Sequence, residues 1–286
     1  MNILQAQNLS AEKLKSIYNM RESSAMTDWL LEEVTGLKRI DRLVQKEKKL
    51  SDEQQDLLKK YLQQLLQHRP IQYVLGFTYF MGMKFFVDEN VLIPRPETEE
   101  LVDFIFETIS ANTSSVSVLD IGTGSGIIPV SIKNKFPAAQ LSALDISSGA
   151  LNISRQNAIQ NRTEIHLYEI DFLNESEWGK LNLFDIIVSN PPYIRQTEKN
   201  SMEKNVLDYE PHSALFVPDE DPLLFYKKIV QFAQTHLNEN GYLFFEINEA
   251  FGNEIVELLQ ENKFQNITLK KDFQQKDRMV KCMFKK

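Results

Sequence analysis

Asn190-Pro191-Pro192-Tyr193 follows directly on the apolar run Phe184–Ser189. Proline has no N–H for a ladder and fixes its own φ, so a strand running into two prolines stops pairing and becomes a rigid loop. The loop presents Asn190 at a strand's carboxyl end, the edge where open α/β sheets bind ligands. A carboxamide carries one acceptor and two donors. With the neighbouring prolyl carbonyls it can grip both halves of a planar amide or of an amidine-like base edge. Tyr193 adds a flat face for stacking. Alone, the tetrapeptide fits equally a turn capped by Asn190 and a strand ended by its prolines.

A second motif lies upstream, in Asp120-Ile121-Gly122-Thr123-Gly124-Ser125-Gly126, where an apolar strand pattern runs into a helical one. Glycines there permit a tight reversal and close approach of a ligand, with the helix amides just behind. A nicotinamide fingerprint spaces its glycines GxGxxG; here they alternate, with a carboxylate just ahead. The spacing and the acid resemble the nucleoside-methionine pocket of class I S-adenosylmethionine-dependent methyltransferases. Asp145 closes the next strand about 20 residues on, where a carboxylate can accept both ribose hydroxyls. Asp171-Phe172 follows the third strand, the acid placed for an adenine amino group and the ring for its face. Each has a plainer explanation in capping, packing or turn formation, but features at the ends of successive strands are harder to assign that way.

The elements that must position these residues fall into two patterns. Residues 1–75 read as all-helical. Leu14, Ile17 and Tyr18 stand at helical spacing, Gly36 suits a C-terminal cap, and Ser51-Asp52-Glu53-Gln54 forms a capping box before a stripe of Leu57, Leu58, Tyr61, Leu62, Leu65 and Leu66. Residues 76–92 hold two aromatic strand-like runs around Gly82, a hairpin connector. From 93 to 286 the order becomes Ile93-Pro94-Arg95-Pro96-Glu97-Thr98-Glu99 opening a helix, then alternating strands and helices. Strands are predicted at 116–119, 140–144, 164–168, 184–189, 242–247, 264–270 and 279–284, and helices at 127–135, 149–160, 222–236 and 252–261. Alternation at these lengths implies a parallel, doubly wound α/β sheet of seven strands, the last antiparallel.

The whole chain sets bounds on function. Its 286 residues, 42% apolar and 25% charged, suit one large or two modest globular domains. The net charge of −8 lacks the footprint of a protein that grips long duplexes through phosphates. Residues 1–75 carry 12 Lys and Arg against 10 Asp and Glu, a net of +2, leaving −10 on the remainder. The single cysteine, Cys282, forms no internal disulfide and no zinc cluster, so a reducing compartment and no metal are expected. With no signal-peptide pattern and no run of about 18 apolar residues, the expectation is a cytoplasmic protein without a membrane partner.

Taken together, Asp120–Gly126, Ile93–Glu99 and Asn190–Tyr193 resemble the HemK/PrmC family, the peptide chain release factor glutamine N5-methyltransferases, over essentially the whole chain. Pro96-Glu97-Thr98-Glu99 favours the release-factor branch over the related ribosomal-protein glutamine methyltransferases. The resemblance implies a class I Rossmann-like methyltransferase domain behind a small helical substrate-docking domain, with S-adenosyl-L-methionine as cofactor and class 1 release factors as partners. It implies cofactor contacts from Gly122, Thr123, Gly124, Ser125, Gly126, Asp145, Asp171, Phe172 and Asn190. Asn190, Pro191, Pro192 and Tyr193 would hold the substrate glutamine, with Asn190, Pro191 and Tyr193 acting in catalysis and Tyr193 packed on the amide plane. Arg95 and Glu97–Glu99 would brace the pocket floor or close over the ligand, and Glu210-Pro211 and Asp219–Asp221 lie in a long segment that suits a lid and equally a solvated acidic loop. Rival readings are an exocyclic-amine methyltransferase acting on DNA or RNA through a flipped base, and a scaffold that binds cofactor without turnover. No stable nucleic-acid partner is expected.

Overall fold

The computed structural model describes residues 1–109 and 115–285. It divides into two compact units, Met1–Gly76 with Glu203–Tyr209, and Phe77–Met202 with Glu210–Lys286. The hairpin expected to connect two domains belongs to the second unit. A short segment from the far side of Asn190–Tyr193 belongs to the first.

Five helices build most of the first unit: α1 (Ile3–Leu14), α2 (Met20–Thr35), α3 (Arg39–Val44), α4 (Asp52–Leu65) and α5 (Ile71–Leu75). Local chemistry sets their ends. The side chains of Ser51 and Gln54 form the expected reciprocal box at the start of α4, and Asn2 and Gln5 form a second one on α1. Helix α2 stops at Gly36, in the left-handed region at φ 67°. Ile3, Leu14, Leu30, Leu31, Leu58 and Leu65 make the core.

The second unit opens with β1 (Phe77–Phe80) and β2 (Met83–Phe86), joined through Met81 and Gly82 at φ 49° and 73°. Two consecutive left-handed residues make the tight turn whose twist matches the strands. Next come α6 (Pro96–Thr108), β3 (Ser117–Ile121), α7 (Ile127–Lys135), β4 (Gln140–Asp145), α8 (Ser148–Gln160), β5 (His166–Glu169) and β6 (Phe184–Ser189). After the Asn190–Tyr193 loop, two-residue strands β7 (Ile194–Arg195) and β8 (Phe216–Val217) pair with each other; between them in sequence come α9 (Lys204–Tyr209), which belongs to the first unit, and α10 (His212–Leu215). The chain ends with α11 (Leu224–His236), β9 (Leu237–Glu246), α12 (Gly252–Glu261), β10 (Gln265–Lys271) and β11 (Asp277–Met283). Several predicted elements keep their bounds. The strand expected at 242–247 starts instead at Leu237, which pairs with Phe184 across an irregularity in the ladder.

The seven-stranded sheet runs β10-β11-β9-β6-β3-β4-β5, with β11 antiparallel to both neighbours. Alternate residues feed two cores. Val118, Val188 and Phe244 pack with α6, α7 and the hairpin, while Leu119, Ile187 and Phe245 pack with α11 and α12. A sheet buried on both faces reads as continuous apolar runs, as these strands do. The chain leaves β3 toward β4 on one side and reaches β6 on the other, so the crevice where ligands bind such sheets opens at the carboxyl ends of β3 and β6. Among the described residues no helix is long and apolar enough to cross a membrane.

Candidate active site

Strand register brings the two motifs together. Ile121 pairs with Ser189 and with Leu144, and Asp145 pairs with Glu169, so Gly122, Asn190, Asp145 and the Asp171 turn emerge along one edge. The Ser189 hydroxyl donates to the Ile121 carbonyl at 2.7 Å, tying the end of β6 to the end of β3. A cavity of about 250 Å³ lies over this edge. Gly122–Ser125, Asp145, Asp171, Phe172 and Asn190–Pro192 all line it, with Arg95 and Thr98 from the start of α6 and Pro211, Ser213 and Ala214 from the later loop.

The glycine turn is held open by its neighbours. The amides of Gly122 and Thr123 both donate to the Leu144 carbonyl, and the Gly124 amide donates to Asp145 at 2.9 Å. Gly122 and Gly124 have left-handed φ, and a Cβ on either would meet no atom within 4 Å. Gly126 differs. It caps α7 at φ 77° and does not line the cavity, and a Cβ there would collide with the Ser154 hydroxyl of α8. Its lack of a side chain permits the close packing of α7 on α8.

Asp120 sits behind the turn, 1% exposed, with neither carboxylate oxygen hydrogen-bonded. Burial pushes its carboxyl up to about 7; the nearby Thr123 hydroxyl opposes the rise and Asp145 adds to it. The Asp145 carboxyl is also raised by burial, against the lowering effect of the Ser147 and Gly124 amides.

Asn190 is held from one side. Its Nδ2 donates to Thr98 Oγ1 at 3.3 Å, and the Thr98 hydroxyl donates to Glu246 at 2.7 Å. The Tyr193 hydroxyl donates to the other oxygen of Glu246 at 3.3 Å. Glu246, the last residue of β9, is 1% exposed; burial raises its carboxyl, while Thr98, Arg278 and Tyr193 pull it down. Tyr193 is not among the residues that line the cavity, and its hydroxyl is held by Glu246 beneath the loop. Arg95 pairs with the buried Glu210 at 2.6 Å, and Glu210 also accepts from the Ile93 amide. This pair braces Ile93–Arg95 at the cavity wall.

Comparisons with known proteins agree with this arrangement over both units. Residues 99–208 match the Methyltransferase small domain, and residues 5–76 match the PrmC N-terminal domain. The chain is 45% identical to the release factor glutamine methyltransferase of Flavobacterium psychrophilum over 96% of each chain. It is 39% identical to that of Bacteroides thetaiotaomicron over 94% of this chain and 95% of the relative. The chain belongs to the release factor glutamine methyltransferase family. The chain also shares the fold of a methyltransferase from Pyrococcus furiosus, with TM-score 0.50 and 16% identity over 72% of this chain and 91% of the other.

The cofactor of this methyltransferase is S-adenosylmethionine, and the residues fit it. Asp145 and Asp171 line the cavity, and Asp120 lies unpaired just behind the open glycine turn; this concentration of carboxylates suits a ligand carrying an ammonium and a sulfonium, since an unpaired buried charge otherwise favours its neutral form. Phe172 lines the cavity while its other contacts are core: it stacks on Trp178 at 5.4 Å and meets Phe232 edge-on. Asp171 accepts from the Leu173 amide in its own turn. Glu246 had no assigned place in the pocket from sequence, whereas Thr98 lay within the stretch Glu97–Glu99 expected to brace it and Glu210 within the segment suited to a lid. The signal available for Glu246 was an acid ending the apolar run Leu243-Phe244-Phe245, an odd residue at a buried strand end.

Proposed function

We propose that this enzyme transfers a methyl group to the side-chain nitrogen of the glutamine in the Gly-Gly-Gln loop of class 1 peptide chain release factors, and that it does so in the cytoplasm. The observation that carries the reading is the position of Asn190. It lies one residue beyond the Ser189–Ile121 link, beside the glycine turn, with its NH₂ group engaged on Thr98. The relatives' shared name supplies the substrate.

An amide nitrogen is a poor nucleophile because its lone pair is delocalised into the carbonyl. When bound, S-adenosylmethionine supplies an electrophilic methyl group on a sulfonium. The protein's task is geometric. Asn190 Oδ1 and the Pro191 carbonyl accept the two N–H groups of the substrate amide and turn its lone pair toward the methyl. Pro191 and Pro192 keep that carbonyl fixed, because their φ cannot relax. Positioning of this kind supplies at best about 7–11 kcal/mol, so no strong base is needed. The extra proton on the methylated nitrogen is acidic enough to pass to water, and no histidine is assigned to remove it.

Incubation with labelled S-adenosylmethionine and either a release factor, the same factor with its loop Gln→Ala, or duplex DNA and RNA tests the reading. Label is expected only in the unmodified release factor. Label in nucleic acid, or undiminished label in the Gln→Ala factor, would refute it. Asn190→Ala is expected to lower kcat by about 100-fold.

A further inference from the structure

We propose that Thr98 and Glu246 are positioning residues that fix the orientation of the Asn190 carboxamide, and so make this site select a substrate group that donates N–H. The inference rests on the reading above, that Asn190 receives the glutamine amide.

Proton inventory fixes the orientation. An ionised carboxylate only accepts hydrogen bonds, and a threonine hydroxyl has a single proton to give. The Thr98 proton goes to Glu246 Oε2 at 2.7 Å, while Tyr193 gives its own to Oε1 at 3.3 Å. Thr98 Oγ1 can therefore only accept from Asn190, and it does so at 3.3 Å. Turning the Asn190 amide over would set its oxygen against an oxygen with no proton left. The acid thus dictates, two bonds away, which end of the carboxamide faces Thr98. Asn190 Oδ1 is left as an acceptor with no donor among the described residues, in a side chain that lines the cavity. A primary amide satisfies it. A carboxylate in the same place would bring acceptor against acceptor, which excludes glutamate as a substrate.

The three side chains come from separate places: the first turn of α6, the end of β9 and the loop after β6. Thr98 is 2% exposed and Glu246 1%, so water does not substitute for either. Burial raises the Glu246 carboxyl, and the Thr98 hydroxyl, Arg278 and the Tyr193 hydroxyl oppose that rise; Arg278 is itself bound to Asp272 and leaves both Glu246 oxygens to the two hydroxyls.

Thr98→Val keeps shape and removes the hydroxyl; Thr98→Ser keeps the hydroxyl and removes a methyl. In the intact enzyme with release factor as substrate, Thr98→Val is expected to lower kcat roughly 10- to 100-fold with cofactor affinity within about twofold, and Thr98→Ser to restore most of it. Glu246→Gln, which lets the Thr98 proton turn toward Asn190, is expected to lower kcat similarly. It should also shrink the preference for a Gly-Gly-Gln over a Gly-Gly-Glu peptide as competitor. Full kcat in Thr98→Val, or equal losses in the Val and Ser variants, would overturn the relay. So would an unchanged peptide preference in Glu246→Gln, which decides the matter if the Thr98 variants fold poorly. Absence of transfer to release factor by the unaltered enzyme would instead overturn the substrate assignment, so the two failures are distinguishable.

Discussion

Asp120 has a measurable consequence of its own. In the folded chain without ligand it keeps its proton up to about pH 7, whereas in the unfolded chain it loses it near the usual carboxylate value. The folded chain therefore binds more protons between those limits, and the stability Asp120 contributes falls as pH rises from about 4 to about 7. A bound cation reverses the preference. Binding of S-adenosylmethionine near pH 6 is expected to release protons, seen as a dependence of the calorimetric enthalpy on buffer. Asp120→Asn should remove most of that release, weaken binding, and melt higher than the unaltered protein at pH 8 without cofactor. A release unchanged in Asp120→Asn would contradict the assignment. At this scale the sequence was legible where chemistry and backbone constraint coincide, as in alternating glycines or an asparagine before two prolines. It was not legible where a partner is distant: Thr98 and Glu246 are 148 positions apart and meet only through the sheet. The bond from Tyr193 to Glu246 was illegible for the same reason, because the acid that holds its hydroxyl lies on another strand.

Among the elements, the sheet edge depends on a few contacts that propensity does not specify. Gly126→Ala forces a side chain into a left-handed backbone and onto Ser154, and should cost roughly 2–4 kcal/mol in urea unfolding. Loss of less than about 1 kcal/mol would mean that α7 and α8 move apart easily. Arg95→Met leaves Glu210 buried with only the Ile93 amide. Because a third of the Arg95 side chain is exposed, the expected cost is roughly 2–3 kcal/mol, below that of a fully buried pair. An unchanged unfolding midpoint and slope would show that the pair does not brace the wall. Long periodic elements such as α4, α7 and β6 were readable because their own patterns specify them. The two-residue strands β7 and β8 and the short helices α9 and α10 were not. Segments of that length have no stability of their own and take their form from what they pack against.

Over the whole molecule, residues 5–76 match one family domain and residues 99–208 another, and α9, most of which lies within the second match, belongs to the first compact unit. The Tyr209 hydroxyl donates to the Gln67 carbonyl at 2.7 Å within that first unit, next to Glu210 in sequence. If the helical unit docks the substrate, the enzyme should show much higher kcat/KM for intact release factor than for a Gly-Gly-Gln peptide, with cofactor affinity unaffected. Equal kcat/KM values would remove the docking role. The proposed reaction depends on where the substrate amide lies. A crystal structure with the demethylated cofactor and a Gly-Gly-Gln peptide tests this most directly. The glutamine N–H groups are predicted to donate to Asn190 Oδ1 and the Pro191 carbonyl at about 3 Å. A glutamine side chain seated elsewhere, or an Asn190 amide turned with its nitrogen toward the substrate, would contradict it.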